Sequence, residues 1–121
     1  MARIILNGEP QLSGSTLYWA GTVDPGTFES ATNITDTVDC FRMTSNDPAG
    51  LDVHSELLLQ AEVTTDGPIL PGDAYQQSVS IAELHDGYYH VMLSLDDGET
   101  YKLQVRVEGG SFELKNWVKE Y

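Results

Sequence analysis

A single cysteine, Cys40, among 121 residues excludes an intrachain disulfide, so packing and hydrogen bonds must hold this chain together. Basic residues are also scarce. Six Lys and Arg stand against nineteen Asp and Glu, a net charge of −13. The excess is spread over both halves, and an evenly acidic surface repels phosphate backbones and anionic headgroups. Direct binding of nucleic acid or of anionic membranes is therefore disfavoured. No apolar run approaches the length of a membrane span, and MARIILNGEPQ has only three consecutive large apolar residues, too few for a secretion signal. Synthesis in the cytoplasm is the expectation. Internal repeats, low-complexity tracts, a glycine-rich phosphate loop and a Gly-x-Ser-x-Gly frame are all missing.

What is present is alternation. From Asp86 to Val118 the chain reads DGYYHVMLSLDDGETYKLQVRVEGGSFELKNWV. Tyr89, Val91, Leu93 and Leu95 share one face of a first strand, with Tyr88, His90 and Ser94 opposite. Tyr101, Leu103, Val105 and Val107 then alternate with Lys102, Gln104, Arg106 and Glu108. A period of two is that of a strand with one buried and one wet face. Asp97-Gly98 and Gly109-Gly110 supply the turns, giving a C-terminal three-stranded meander. Upstream, Arg3–Leu6, Thr16–Val23, Thr37–Thr44, Glu56–Thr64 and Gln76–Ile81 also read as strands. Glu56–Thr64 has good helix formers, but its length and neighbours favour a strand, with Leu57, Leu59, Ala61 and Val63 on one face. Asp24–Asp36, Asp47–Gly50 and Thr64–Asp73 read as turns or loops within one domain, residues 1–121. Seven to eight short strands predict a single antiparallel β-sandwich, with a closed barrel as the alternative. Trp19, Tyr89, Val91, Leu93, Leu103 and Val105 are the expected core, and Cys40 an expected buried apolar residue.

The stretch SIAELHDGYYHV, Ser80–Val91, resembles the approach to the penultimate strand of immunoglobulin-like domains. Leu84, Asp86, Gly87, Tyr89 and Val91 match that pattern, known as the tyrosine corner. The resemblance implies that Tyr89 packs inside and bonds a backbone group across the corner. The missing cysteine pair excludes the disulfide-bonded subtype.

Chemistry-bearing residues form no recognised constellation. His54, His85 and His90, with Asp86, lack the spacing of a zinc ligand set. Asp96, Asp97 and Glu99 sit at a hairpin tip that turn chemistry explains, and calcium needs more oxygens than they offer. No acid pair is singled out for glycoside hydrolysis. No catalytic, metal or cofactor residue is therefore assigned. Asn33-Ile34-Thr35 satisfies the glycosylation tripeptide by chance.

The C-terminal strand offers an interface instead. Phe112, Leu114 and Val118 take one face, which leaves Trp117 among Ser111, Glu113, Lys115 and Lys119 on the wet face, close to an aromatic Tyr121. Trp117, Val118 and Tyr121 are the expected protein-interface residues, since Trp and Tyr dominate interface hot spots. Leaderless, acidic, turn-rich sandwiches of this kind resemble the accessory structural proteins of tailed bacteriophages. The run DGYYHVMLSLDDGETYKLQVRV is similar in style to the immunoglobulin-like modules found there. The resemblance implies a non-enzymatic virion component, a capsid decoration or a tail or baseplate accessory. Such a protein is made in the host cytoplasm and bound to other virion subunits or to copies of itself, without cofactor. Two other classes stay open: a carbohydrate-binding or adhesion module at a cell surface, and a small hydrolase using Asp or Glu. The first needs Trp19, Tyr18, Tyr75 or Trp117 in an exposed row, and the second needs acids or histidines converging in a pocket.

Overall fold

Alternating side chains can seal a core only if two sheets face one another, and the chain folds in that way. The computed structural model describes residues 4–24, 33–43, 54–70, 72–96 and 98–119. Nine strands lie among them: β1 (Ile4–Leu6), β2 (Gln11–Ser13), β3 (Thr16–Val23), β4 (Thr35–Met43), β5 (His54–Thr64), β6 (Ala74–Ser80), β7 (Gly87–Ser94), β8 (Thr100–Glu108) and β9 (Ser111–Lys119). The described residues contain no helix. The sequence pattern predicted seven to eight strands and missed β2, whose three residues are too few to display a period. The expected turn at Asp47–Gly50 lies outside the described residues.

In the smaller sheet β3 is central. Along one side it pairs first with β2 (Leu12↔Leu17) and then with β1 (Ile5↔Thr22); along the other it pairs with β6 (Trp19↔Gln77). The edge strand is split because Asn7-Gly8-Glu9-Pro10 interrupts it, and proline has no N–H for the ladder. The Asn7 amide still donates to the Ala20 carbonyl at 3.0 Å. Gly21 sets how closely β1 approaches, since a Cβ there would lie 2.7 Å from the Ile5 carbonyl oxygen. The larger sheet runs β5-β4-β7-β8-β9, every pair antiparallel. Gly109 and Gly110, at φ 59° and 81°, close the two-residue turn from β8 to β9, which L residues with a side chain resist. The two sheets remain separate, so the barrel alternative is set aside.

The core lies between them. Trp19, Tyr89, Val91, Leu93, Leu103 and Val105 are all buried, together with Ile4, Leu17, Val23, Val38 and Cys40. Burial pushes the Cys40 thiol up to about 12, which keeps it an inert packing group. Tyr89 is buried as well, and its hydroxyl donates to the His85 carbonyl at 2.6 Å, the contact that the Leu84–Val91 pattern implied. Tyr89→Phe should cost about 1 kcal/mol, the net worth of one such hydrogen bond, read as a lower urea midpoint with unchanged slope. An unshifted midpoint would remove the corner from the list of stabilising contacts.

Strand β5 departs from its expected alternation. Cys40 faces Leu59 while the next residue, Phe41, faces Leu57, so Leu58 is an extra residue. That bulge turns Leu57 outward, and Leu57 and Leu58 are both exposed. Leu59, Ala61 and Val63 keep the inward, half-buried face.

Candidate functional site

Among the described residues three polar ones are buried: Asp36, Gln77 and His90. Asp36 is in phase with Ile34, Val38 and Cys40, so the pleat of β4 carries its carboxylate into the core. There the two sheets are tied through it. From the smaller sheet Oδ2 accepts the Trp19 indole N–H at 2.8 Å, the Gln77 amide at 3.0 Å and the Tyr75 hydroxyl at 3.2 Å. From the larger sheet's β7–β8 connection, Oδ1 accepts the Asp96 backbone N–H at 2.9 Å. Asp96 in turn accepts the Thr35 backbone N–H at 3.0 Å. Gln77 is held in place by a second bond from its amide to the Val63 carbonyl at 2.9 Å. Burial raises the Asp36 pKa above its ordinary 3.8, and the donated hydrogen bonds pull it partly back. With four donors converging on it, this carboxyl is a structural clamp. The sequence reading placed Asp36 at the end of a loop; its parity with Val38 and Cys40 was the available signal.

The other candidates are dispersed. His90 is buried in β7, His85 is exposed, and the His54 side chain lies outside the described residues. Asp86 accepts the Gly109 backbone N–H at 3.1 Å, which ties the corner to the β8–β9 turn. At the hairpin tip Asp97 lies outside the described residues, and Asp96 is committed to Thr35. Among the described residues no three His, Cys, Asp or Glu side chains are grouped to hold a metal.

The C-terminal strand corrects the expected facing of Trp117 and Val118. Leu114 faces Val105 but Asn116 faces Gln104, so Lys115 is an extra residue and forms a bulge. Beyond it the faces exchange. Phe112, Leu114 and Trp117 all pack against the core, and the Trp117 ring lies 5.7 Å from that of Tyr101. Val118 becomes the outward residue, 47% exposed. Trp117 is therefore not the wet-face residue that a strict period of two places there, and Tyr121 lies outside the described residues.

The two outer faces differ in charge. On the larger sheet Glu62, Lys102, Arg106 and Glu113 point outward, with Arg106 over the Tyr88 ring at 5.6 Å and 2.7 Å from Glu108. The smaller sheet turns Thr16, Tyr18, Ala20 and Thr22 outward from β3, Ala74, Gln76, Ser78 and Ser80 from β6, and Ile5, Gln11 and Ser13 from the split edge. None of these is charged. The split leaves a groove of about 220 Å³ on that face, lined by Asn7, Gly8, Glu9, Gln11, Tyr18, Ala20 and Gln76. The Tyr18 hydroxyl donates to Gln11 Oε1 at 2.7 Å. The exposed aromatic row that a sugar-binding module was expected to show is not formed by Trp19 or Tyr75, both buried, nor by Trp117. Tyr18 alone of those four faces outward.

No helix among the described residues is long and apolar enough to cross a membrane. No family model, curated protein or solved structure matches the chain.

Proposed function

We propose that this chain is a non-enzymatic interaction protein built on an immunoglobulin-like sandwich, which docks onto other protein subunits through β9. The fold reading rests on strand order. One sheet joins β1 and β2, β3 and β6; in the other the order β5-β4-β7-β8 resembles that of the variable-type plan, with β9 added beyond it. The Tyr89–His85 contact at the entry to β7 supports it. The observation that carries the docking reading is the ninth strand. β9 continues the larger sheet past β8, pairs with β8 alone among the described residues, and turns Val118 outward at 47% exposure. An edge strand offers unpaired backbone groups to a strand from a partner. The bulge at Lys115 and the charge of Lys115 and Glu113 restrict which strand can pair.

The source assigned to this module is the tailed bacteriophage virion, as a capsid decoration or a tail or baseplate accessory. Its support is the likeness of the Asp86–Val107 run to modules of such particles. Gradient-purified particles encoded with this chain should contain it by mass spectrometry. There the β9 amides should exchange hydrogen more slowly than in the free protein, and Val118→Lys should abolish that protection. A chain absent from particles, or β9 amides exchanging equally in both states, would overturn the reading.

A further inference from the structure

A chain with a net charge of −13 distributes carboxylates wherever nothing selects against them, so a sheet face whose described strand positions all lack charge is informative. The outer face of the smaller sheet is such a place. Its outward positions carry hydroxyls, primary amides, methyls and one phenol ring, while the outer face of the larger sheet mixes both signs of charge. On that uncharged face lies the groove at the split between β1 and β2.

From this juxtaposition we infer that the groove is a binding site for a neutral oligosaccharide. The chemistry of the lining fits one. Tyr18 offers a ring whose orientation is held by the 2.7 Å bond from its hydroxyl to Gln11. A pyranose presents a face of C–H groups that packs on such a ring, with hydroxyls around its rim. Gln76, Gln11 and Asn7 each supply an amide that both donates and accepts, which matches hydroxyls able to do the same. Glu9 is the one carboxyl in the lining and its oxygens accept hydrogen bonds from hydroxyls. Ala20 in the lining adds only a methyl group to the groove. Gln11, Tyr18, Ala20 and Gln76 are set on paired strands, which limits the ordering cost of binding on that side of the groove.

Charge fixes the class of sugar. The field of the whole chain repels uronic acids and sulfated sugars. A cationic ligand would be served better by acids on the face, and its described strand positions carry none, which leaves Glu9 in the groove. A second copy of the chain is the competing occupant. Stable homodimer faces are enriched in large apolar and aromatic groups, however, and here serine, threonine and glutamine prevail.

The test is a titration of the full chain, labelled with nitrogen-15, using hexasaccharides of glucose, mannose and galactose, with oligogalacturonate as the charged control. At least one neutral sugar should move the signals of Tyr18, Ala20 and the Gln76 side chain, with a Kd near 1 mM or tighter, about −4 kcal/mol. Tyr18→Ala should weaken that binding at least about tenfold, and Gln76→Ala, which keeps the ring, should weaken it severalfold. Oligogalacturonate should leave the spectrum unchanged. Silence to every neutral sugar up to about 10 mM, roughly −3 kcal/mol, would overturn the site. Shifts confined to other strands, equal binding of the charged sugar, or self-association through the same residues without a sugar response would do the same.

Discussion

Asp36→Ala is expected to lower the unfolding free energy by about 3–5 kcal/mol, because it strands the Trp19 indole N–H and the Asp96 N–H inside the sandwich and takes an acceptor from the Tyr75 hydroxyl. Gln77 suffers less, having Val63 as a second acceptor. Asp36→Asn keeps the volume and removes the charge, yet it should also destabilise. Four donors face the two carboxylate oxygens, so an amide NH₂ at either position meets another donor. The pH dependence has a definite sign. Burial raises the folded pKa above the ordinary 3.8, so the folded state binds the proton more tightly than the unfolded chain. The contribution of this group is fully present below about pH 4 and declines as pH rises through the folded value. Urea titrations between pH 4 and 7 should therefore show the gap between wild type and Asp36→Asn narrowing with rising pH. A gap that widens would mean that the hydrogen bonds outweigh burial.

Leu103→Ala should cost about 2–5 kcal/mol. Leu103 is fully buried in β8, flanked in register by Val91 on one side and Trp117 on the other. Both neighbours are held by their own strands, so the site has little freedom to collapse around the missing methyls. Leu103→Met, which nearly preserves volume, should recover most of the loss. A change below about half a kcal/mol for the alanine variant would show that the sandwich repacks freely there, contrary to a core closed from both sheets. Since total stability of a domain this size is about 5–15 kcal/mol, either variant removes a large share of it.

The strands of the core were legible because a single strand's own alternation declares which residues share a face. That holds for β3, β7 and β8, where Trp19, Tyr89 and Leu103 point inward as the period requires. It fails where the partner strand decides. The bulges at Leu58 and Lys115 are set by pairing with β4 and β8, and nothing in Glu56–Thr64 or Ser111–Lys119 announces an unpaired residue. One such shift exchanged Trp117 and Val118 between the faces. Asp36 was obscured for a different reason. A carboxylate is read as solvent-facing by default, and its burial depends on donors that arrive from residues 17 to 60 positions away. The uncharged outer face was equally hidden. It is a property of four strands assembled side by side, and each alone looks like an ordinary polar edge.

The extra residue at Lys115 also gives the end of this chain a tolerance to a kind of variation that substitutions do not mimic. Loss of that single codon would restore a strict period of two through β9 and still leave Leu114 and Trp117 inward with Asn116 and Val118 outward, because the bulged residue is the one without a partner on β8. A lineage that drops this codon would thus keep both its core and its outward chemistry and lose only the local kink in the edge strand.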